Sequence, residues 1–116
     1  MRVMVLIKAN EQYEAGAMPL KELIAKMGKF NQEIVEAGVM LGGDGLKPTS
    51  KGVRVDCTGG ERVVINGPFS GTDDLISGYW LWQVESLDEA IEWIKRSPFQ
   101  DGTVELRPLF EPEDYG

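Results

Sequence analysis

The stretch Ser77–Glu85 restricts the fold of this chain more than any other feature, because it predicts a strand with two apolar faces. Successive side chains of a strand point to opposite faces of its sheet. Trp80 and Trp82 fall on one face, while Tyr79 and Leu81 fall on the other. Apolar surface is stabilised by removal from water, so a sheet built around this strand needs cover on both sides.

Residues 2–8 repeat this property, since Val3 and Val5 alternate with Met4 and Leu6. Hydrophobic periodicity and turn residues predict the element order β-α-β-(hairpin)-β-α-β. This order is the ferredoxin-like α+β pattern with a hairpin inserted between its halves. After the first strand, the predicted segments are a polar connection over 9–18, a helix from Pro19 to Gly38, a strand over 39–41, a loop over 42–45, hairpin strands over 53–57 and 62–65, a strand over 77–85, a helix from Ser86 to Pro98 and a strand over 103–109.

Both helices show apolar residues at helical spacing, which predicts one buried stripe on each. Ser86 and Glu89 have the spacing of a capping box at the start of the second helix. The residues of the two stripes are Leu20, Leu23, Ile24, Met27, Phe30 and Ile34 in the first helix, and Leu87, Ala90, Ile91 and Ile94 in the second.

The predicted fold leaves one face of the sheet without cover from this chain. In the ferredoxin-like arrangement both helices lie on the same face, yet the strands here are apolar on both. We therefore predict a homodimer, in which a second copy of the sheet covers the bare face and a dimeric α+β barrel results. The predicted domain spans residues 1–110, and the acidic segment 111–116 is expected to be a mobile tail.

Charge and residue usage exclude several classes of function. The chain carries 12 Lys and Arg against 19 Asp and Glu, a net charge of −7, which disfavours nucleic acids and anionic membranes as partners. It has no histidine, which removes Ser-His-Asp and Cys-His catalysis and His-bound metals. We expect neither a cofactor nor a metal. The single cysteine, Cys57, suits a reducing compartment and a cytoplasmic location, and its alternation with Val53 and Val55 predicts that it is buried.

Several motifs resemble those of a known family. Asn66-Gly67-Pro68-Phe69 is similar to the Asp-Gly-Pro-Phe tetrapeptide of the DGPF-domain branch of the YCII-related proteins, which are small bacterial proteins. Ser77-Gly78-Tyr79 follows at the corresponding distance, and the resemblance covers nearly the whole chain. Supporting segments are Phe30-Asn31-Gln32-Glu33, Gly42-Gly43-Asp44-Gly45-Leu46-Lys47-Pro48 and Ser86-Leu87-Asp88-Glu89-Ala90.

The resemblance implies a ferredoxin-like dimeric α+β barrel and implies no particular reaction. Some YCII-type proteins carry a His-Asp pair proposed as catalytic, and this chain cannot supply it. The family also continues past the tetrapeptide with charged residues, whereas here the segment 70–74 reads Ser-Gly-Thr-Asp-Asp.

Four residues are candidates for a ligand site at one rim of the sheet: Asn31, Asn66, Phe69 and Tyr79. Asn31 interrupts the apolar stripe of the first helix, so its amide either contacts a ligand or bonds loop backbone. Asn66 and Phe69 either border a pocket or belong to a structural turn. The Tyr79 hydroxyl either serves a cavity or reaches the rim from a packed ring. Under the ligand-site hypothesis, Asn31→Leu should abolish binding and leave the dimer folded.

Three functions fit these observations. The first is a homodimer that binds a small molecule or a protein partner through a cavity between sheet and helices. The second is a cofactor-independent oxygenase or isomerase for an aromatic or carbonyl substrate, which rests on fold analogy. The third is a purely structural interaction protein, which would lack a cavity with convergent polar groups.

Overall fold

The computed structural model describes residues 1–16, 21–71, 74–99 and 102–116, and it contains a four-stranded antiparallel sheet in the order β2-β5-β1-β6. A separate hairpin pairs β3 with β4. The elements are β1 (Arg2–Lys8), α1 (Glu11–Glu14), α2 (Lys21–Glu36), β2 (Met40–Gly45), β3 (Val53–Asp56), β4 (Val63–Asn66), β5 (Ile76–Gln83), α3 (Leu87–Lys95) and β6 (Val104–Pro108). This confirms the predicted ferredoxin-like α+β order with an inserted hairpin.

The core lies between the sheet and the two long helices. In the two central strands, Val3 pairs with Trp82 and Val5 pairs with Trp80, so these side chains share one face. Phe30 contributes to the same buried cluster from α2. The remaining buried members are Ile34, Val39, Val84 and Ala90. None of the described helices is long and apolar enough to cross a membrane.

The helix ends follow local chemistry. The Ser86 hydroxyl accepts from the Glu89 backbone N–H at 3.2 Å, which caps α3 as predicted. The Glu89 carboxylate accepts from the backbone N–H of Glu85 at 2.8 Å. After α2, Gly38 adopts a φ of +75°, the left-handed conformation that ends helices. The predicted start of this helix, Pro19, lies outside the described residues, as does Leu20.

The buried stripes are narrower than predicted. Ile24 of α2 is exposed, and so are Leu87 and Ile91 of α3. Trp93, which the periodicity did not assign to the stripe, packs against the core instead. Ile94 does so as predicted.

Two predicted loop regions contain regular structure. The polar connection over 9–18 includes the short helix α1, which begins after Asn10. The side-chain oxygen of Asn10 caps this helix by accepting a hydrogen bond from the Tyr13 backbone N–H at 2.7 Å. The glycine-rich segment 42–45, predicted as a loop, lies inside β2, which continues to Gly45 after a register shift between Met40 and Gly42. The strand pairing of β5 holds these glycines extended.

The hairpin differs most from the prediction. Every residue of β3 and β4 is exposed in the isolated chain, although the sequence predicted a half-buried strand. Cys57 is exposed as well, so the prediction that it is buried was wrong. The reason is tertiary: the hairpin pairs only with itself and not with the main sheet.

The C-terminal segment also has more structure than a free tail. Residues Pro112–Tyr115 form a 3₁₀ turn. The carboxylate of Glu111 accepts from the backbone N–H of Arg2 at 3.2 Å and from its side-chain Nε at 3.1 Å. The segment therefore begins with a polar attachment to β1.

The sheet face opposite the helices carries the second apolar set. Met4 pairs with Leu81, and Leu6 pairs with Tyr79, in the same two central strands. These four side chains are half-buried in the isolated chain. Neither long helix lies over them, as the sequence predicted.

Candidate functional site

A cleft of about 600 Å³ opens between the first half of α2 and one end of the sheet. Its walls come from α1, α2, the ends of β1, β2 and β5, and the segment after α3. A space of this size suits a small organic molecule.

Glycines form the floor of the cleft. Gly45 of β2 and Gly78 of β5 are direct cross-strand partners, and Gly78 lies on the helix-facing side because it alternates with Trp80. Both line the cleft. A Cβ at Gly45 would meet open space, whereas a Cβ at Gly78 would lie 3.1 Å from the backbone oxygen of Asp44. The absence of side chains from this pair leaves bare backbone beneath α2, and that absence creates the space.

A third glycine, Gly43, makes room for the aromatic side chains that form one wall of the cleft. Gly43 pairs with Trp80, and a Cβ at this position would collide with the Trp80 ring and with the backbone of Tyr79. The glycine therefore allows the indole to lie flat against β2. Trp80 stacks on Trp82 at 5.3 Å between ring centroids and meets Phe99 in a tilted contact at 5.9 Å. Trp80 and Phe99 thus present aromatic surface to the cleft.

Asn31 connects the helix to this wall. The Nε1 of Trp80 donates a hydrogen bond to Oδ1 of Asn31 at 3.1 Å, and both residues line the cleft. The amide is therefore paired with a side chain and not with loop backbone, which was one of its predicted alternatives. Asn31→Leu would consequently remove more than a ligand contact, because it leaves a buried indole N–H unpaired at a cost of about 1–3 kcal/mol.

The titratable side chains among the described lining residues are Lys8, Tyr13, Glu22, Lys26 and Asp44. The Tyr13 hydroxyl donates to the Ser77 backbone oxygen at 3.1 Å. Burial, and secondarily the negative charge of Glu14, raises the pKa of Tyr13 above its ordinary value. Tyr13 is therefore a neutral hydrogen-bond donor at pH 7 and not a base.

The structure brings together two of the four predicted site residues. Asn31 and Tyr79 line the cleft, although strand alternation directs the Tyr79 ring to the opposite sheet face from Trp80. Asn66 and Phe69 do not line it. Phe69 lies under the guanidinium of Arg54, with Cζ 3.9 Å from the ring centroid.

The turn that contains Phe69 is held by the segment after β2. The backbone N–H of Phe69 donates to the Thr49 hydroxyl at 2.9 Å, and that of Gly67 donates to the Gly52 oxygen at 3.0 Å. A Cβ at Gly67 would collide with the Thr49 carbonyl. These contacts support the structural interpretation of the tetrapeptide, with glycine required by close backbone approach.

Sequence patterns did not reveal the glycine floor or the contributions of Tyr13 and Phe99. A signal for the floor was present, because Gly78 occupies the helix-facing register of β5 where Trp80 and Trp82 follow. A glycine among bulky apolar side chains on one face of a strand indicates that another backbone segment or a ligand approaches the strand closely there. Tyr13 and Phe99 could not be found from periodicity, since both lie outside the predicted helices and strands.

Comparisons with known proteins agree with this architecture. The family model of the YCII-related domain matches residues 1–113. An uncharacterised protein of Rhizobium meliloti (strain 1021) is 28% identical over 92 residues, which cover 77% of this chain and 74% of the relative.

A solved structure shares the fold at low sequence identity. It is 5-chloro-2-hydroxyhydroquinone dehydrochlorinase from Burkholderia phenoliruptrix AC1100, in complex with 2,5-dihydroxybenzoquinone. The match has a TM-score of 0.56, covers 97% of each chain and has 10% identity. A likeness at this identity concerns the fold alone.

Proposed function

This chain belongs to the YCII-related domain family, and from that premise we propose that it is a homodimeric binding protein for a small ring-containing molecule. The observation that carries the proposal is the cleft between α2 and the glycine pair Gly45–Gly78. A flat backbone floor beneath an aromatic wall suits a planar ligand, because rings stack on or against Trp and Phe side chains.

The lining chemistry supports a mainly apolar ligand. Leu23 and Met27 of α2 and Ile7 of β1 add aliphatic surface to that of Trp80 and Phe99. Among the described lining residues, two lysines and two acids are charged, so this part of the lining carries no net formal charge. Shape and apolar contact would select the ligand more than net charge does.

The homodimer in this proposal is supported by the other face of the sheet. Met4, Leu6, Tyr79 and Leu81 form an apolar set that neither long helix of this chain covers. A second copy of the sheet is the simplest cover for a self-complementary apolar face. The exposed free thiol of Cys57 suits a reducing compartment, which supports the bacterial cytoplasm as its location.

A second candidate function is a cofactor-independent enzyme for an aromatic or carbonyl substrate. It is favoured by the neighbour of the same fold, which is a dehydrochlorinase bound to a dihydroxybenzoquinone. Any such activity in this chain would proceed without histidine, so proton transfer would fall to groups such as Glu22 or Asp44 at the cleft.

The binding proposal is tested with two single-ring probes, acetophenone and ethylbenzene, observed through the ¹⁵N-labelled indole of Trp80. We expect millimolar or tighter binding that shifts this resonance. Gly45→Val places a branched side chain in the floor and should weaken both probes at least tenfold. Gly42→Val is the matched control: this glycine lies in the same strand with equally open space, but pairs with Leu81 on the opposite face.

Two results would count against the proposal. The first is the absence of any Trp80 shift with either probe. The second is equal loss of binding in both glycine variants. Chloride release from 5-chloro-2-hydroxyhydroquinone without added metal would favour the enzyme over the binder.

A further inference from the structure

We infer that Asn31 is a specificity residue of the cleft, and that its amide nitrogen donates a hydrogen bond to an acceptor oxygen on the ligand. The ligand class is therefore a small ring compound that carries a carbonyl or phenolic oxygen. This inference rests on the proposed function, because it names the chemistry recognised in the same cleft.

The orientation of the Asn31 amide follows from its partner. The two ends of an amide are hard to tell apart by shape, but the indole Nε1–H of Trp is a donor only. The atom of Asn31 that lies 3.1 Å from Trp80 Nε1 must therefore be the acceptor Oδ1. This assignment depends on hydrogen-bond chemistry and leaves one orientation for the side chain.

Once Oδ1 is committed to Trp80, Nδ2 is the end available to the cleft. Within the described part of the chain, no residue accepts a hydrogen bond from Nδ2 of Asn31. The residue is half-buried between Met27 and Ile34 on the sheet-facing side of α2. A donor in such partly apolar surroundings gains from an acceptor that replaces water.

Several other polar groups of the cleft are already engaged. The Tyr13 hydroxyl donates to Ser77 O, and Oδ1 of Asn10 accepts from the Tyr13 backbone N–H. Lys8 Nζ lies 3.6 Å from a carboxylate oxygen of Glu105. Gln12 and Lys26 also line the cleft, but Asn31 Nδ2 is the donor held beside the aromatic wall, because Oδ1 of the same amide bonds Trp80.

The test compares two ligands and two variants. Acetophenone and ethylbenzene have nearly the same shape, but only the first carries an acceptor oxygen. Asn31→Asp keeps an oxygen for Trp80 Nε1–H and replaces the donating nitrogen by a second acceptor. Gln32→Glu is the matched control, because it makes the same charge change one residue away on the exposed side of α2.

We expect the ratio of the ethylbenzene Kd to the acetophenone Kd to fall roughly 3- to 10-fold in Asn31→Asp and to stay unchanged in Gln32→Glu. In both variants the chemical shift of the Trp80 indole N–H should remain that of a hydrogen-bonded group. This result verifies that the aromatic wall formed by Trp80 and Phe99 is intact.

Different results separate the inference from the proposed function. If both probes bind the parent and the Kd ratio is the same in Asn31→Asp, the cleft binds rings but Asn31 does not select oxygen, and the inference is overturned. If neither probe shifts Trp80 in the parent protein, the proposed function fails and the inference fails with it.

Discussion

The two faces of the central strands have similar apolar sequences but different surroundings. Val5 and Trp80 are paired and buried beneath the helices, whereas their neighbours Leu6 and Tyr79 are paired and half-buried on the other face. Strand alternation creates both sets. The contrast shows that an apolar pattern indicates which faces of a strand must be buried. The connections between the elements determine which of these faces the helices of the same chain cover.

The hairpin extends the contrast to a region without internal cover. Val64 is 60% exposed, and the strands β3 and β4 have no buried residue. By comparison, Trp82 in the sheet is 0% exposed. Apolar residues that are concentrated in an exposed two-stranded hairpin are typical of an interaction surface. A partner subunit is the cover that we propose.

The largest expected effect tests the covered face. Phe30→Ala removes a ring that contacts Trp80, Trp82 and Trp93, and it should lower the free energy of unfolding by about 3–5 kcal/mol. Chemical denaturation measures this change. Ile24→Ala in the same helix is the control, since Ile24 is 52% exposed and its truncation should cost much less. Equal losses would show that Ile24, exposed in the isolated chain, is buried in solution.

The next prediction tests the open face. Leu81→Lys places a charge in the apolar set that we assign to the proposed dimer interface, so the dissociation constant of the proposed dimer should rise at least tenfold. The monomer should keep its fold, because Leu81 is neither a member of the core cluster nor packed against it. Analytical ultracentrifugation gives the dissociation constant. Gln83→Lys, exposed at the end of the same face, is the control, and an unchanged dimer in Leu81→Lys would place the interface elsewhere.

The third prediction, of a smaller effect, tests whether the surface of α2 around Gly28 faces solvent. Gly28 lies in the middle of α2, and apart from the adjacent backbone of its own helix a Cβ there would meet no atom of the described residues within 4 Å. Gly28→Ala should therefore raise the free energy of unfolding by up to about 1 kcal/mol, through the better helix propensity of Ala. Thermal unfolding detects the gain. A loss of stability would indicate that another surface packs closely against this glycine.

The smallest effect concerns the end of the sheet at Arg2. Hydrogen bonds from the Arg2 side chain lower the pKa of Glu111 below its ordinary value of 4.5. A lowered pKa contributes stability above pH 4.5, and this contribution is lost as the pH falls through the folded-state pKa. The attachment is exposed, so its release should affect the C-terminal turn and hardly the whole fold.

An NMR titration of the segment 111–116 from pH 7 to pH 2 follows this release. In Glu111→Gln the acid-dependent transition of the turn should disappear. Glu113→Gln, in the same turn, should retain it. A transition that is identical in all three proteins would assign the effect to another carboxylate.

Sequence patterns alone were enough to predict the element order, the two-faced central strands and the absence of histidine chemistry. These properties are local or compositional. A strand with alternating large apolar side chains, such as Trp80 with Leu81, has the same two faces in any fold, and the capping geometry of Ser86 needs only its own turn. The resemblance to a family also rests on short motifs that can be read directly from the chain.

Tertiary structure decided the site. Gly45 and Gly78 are 33 positions apart in the printed sequence, and they form a bare floor only because antiparallel pairing sets them opposite each other. Asn31 was open to two interpretations until the pairing of β5 placed Trp80 Nε1 within 3.1 Å of it. Cys57 and the hairpin valines are exposed because β3 and β4 pair only with each other. Periodicity specifies which side chains share a face. What packs against that face depends on contacts between segments that are distant in the sequence, and no local pattern encodes these contacts.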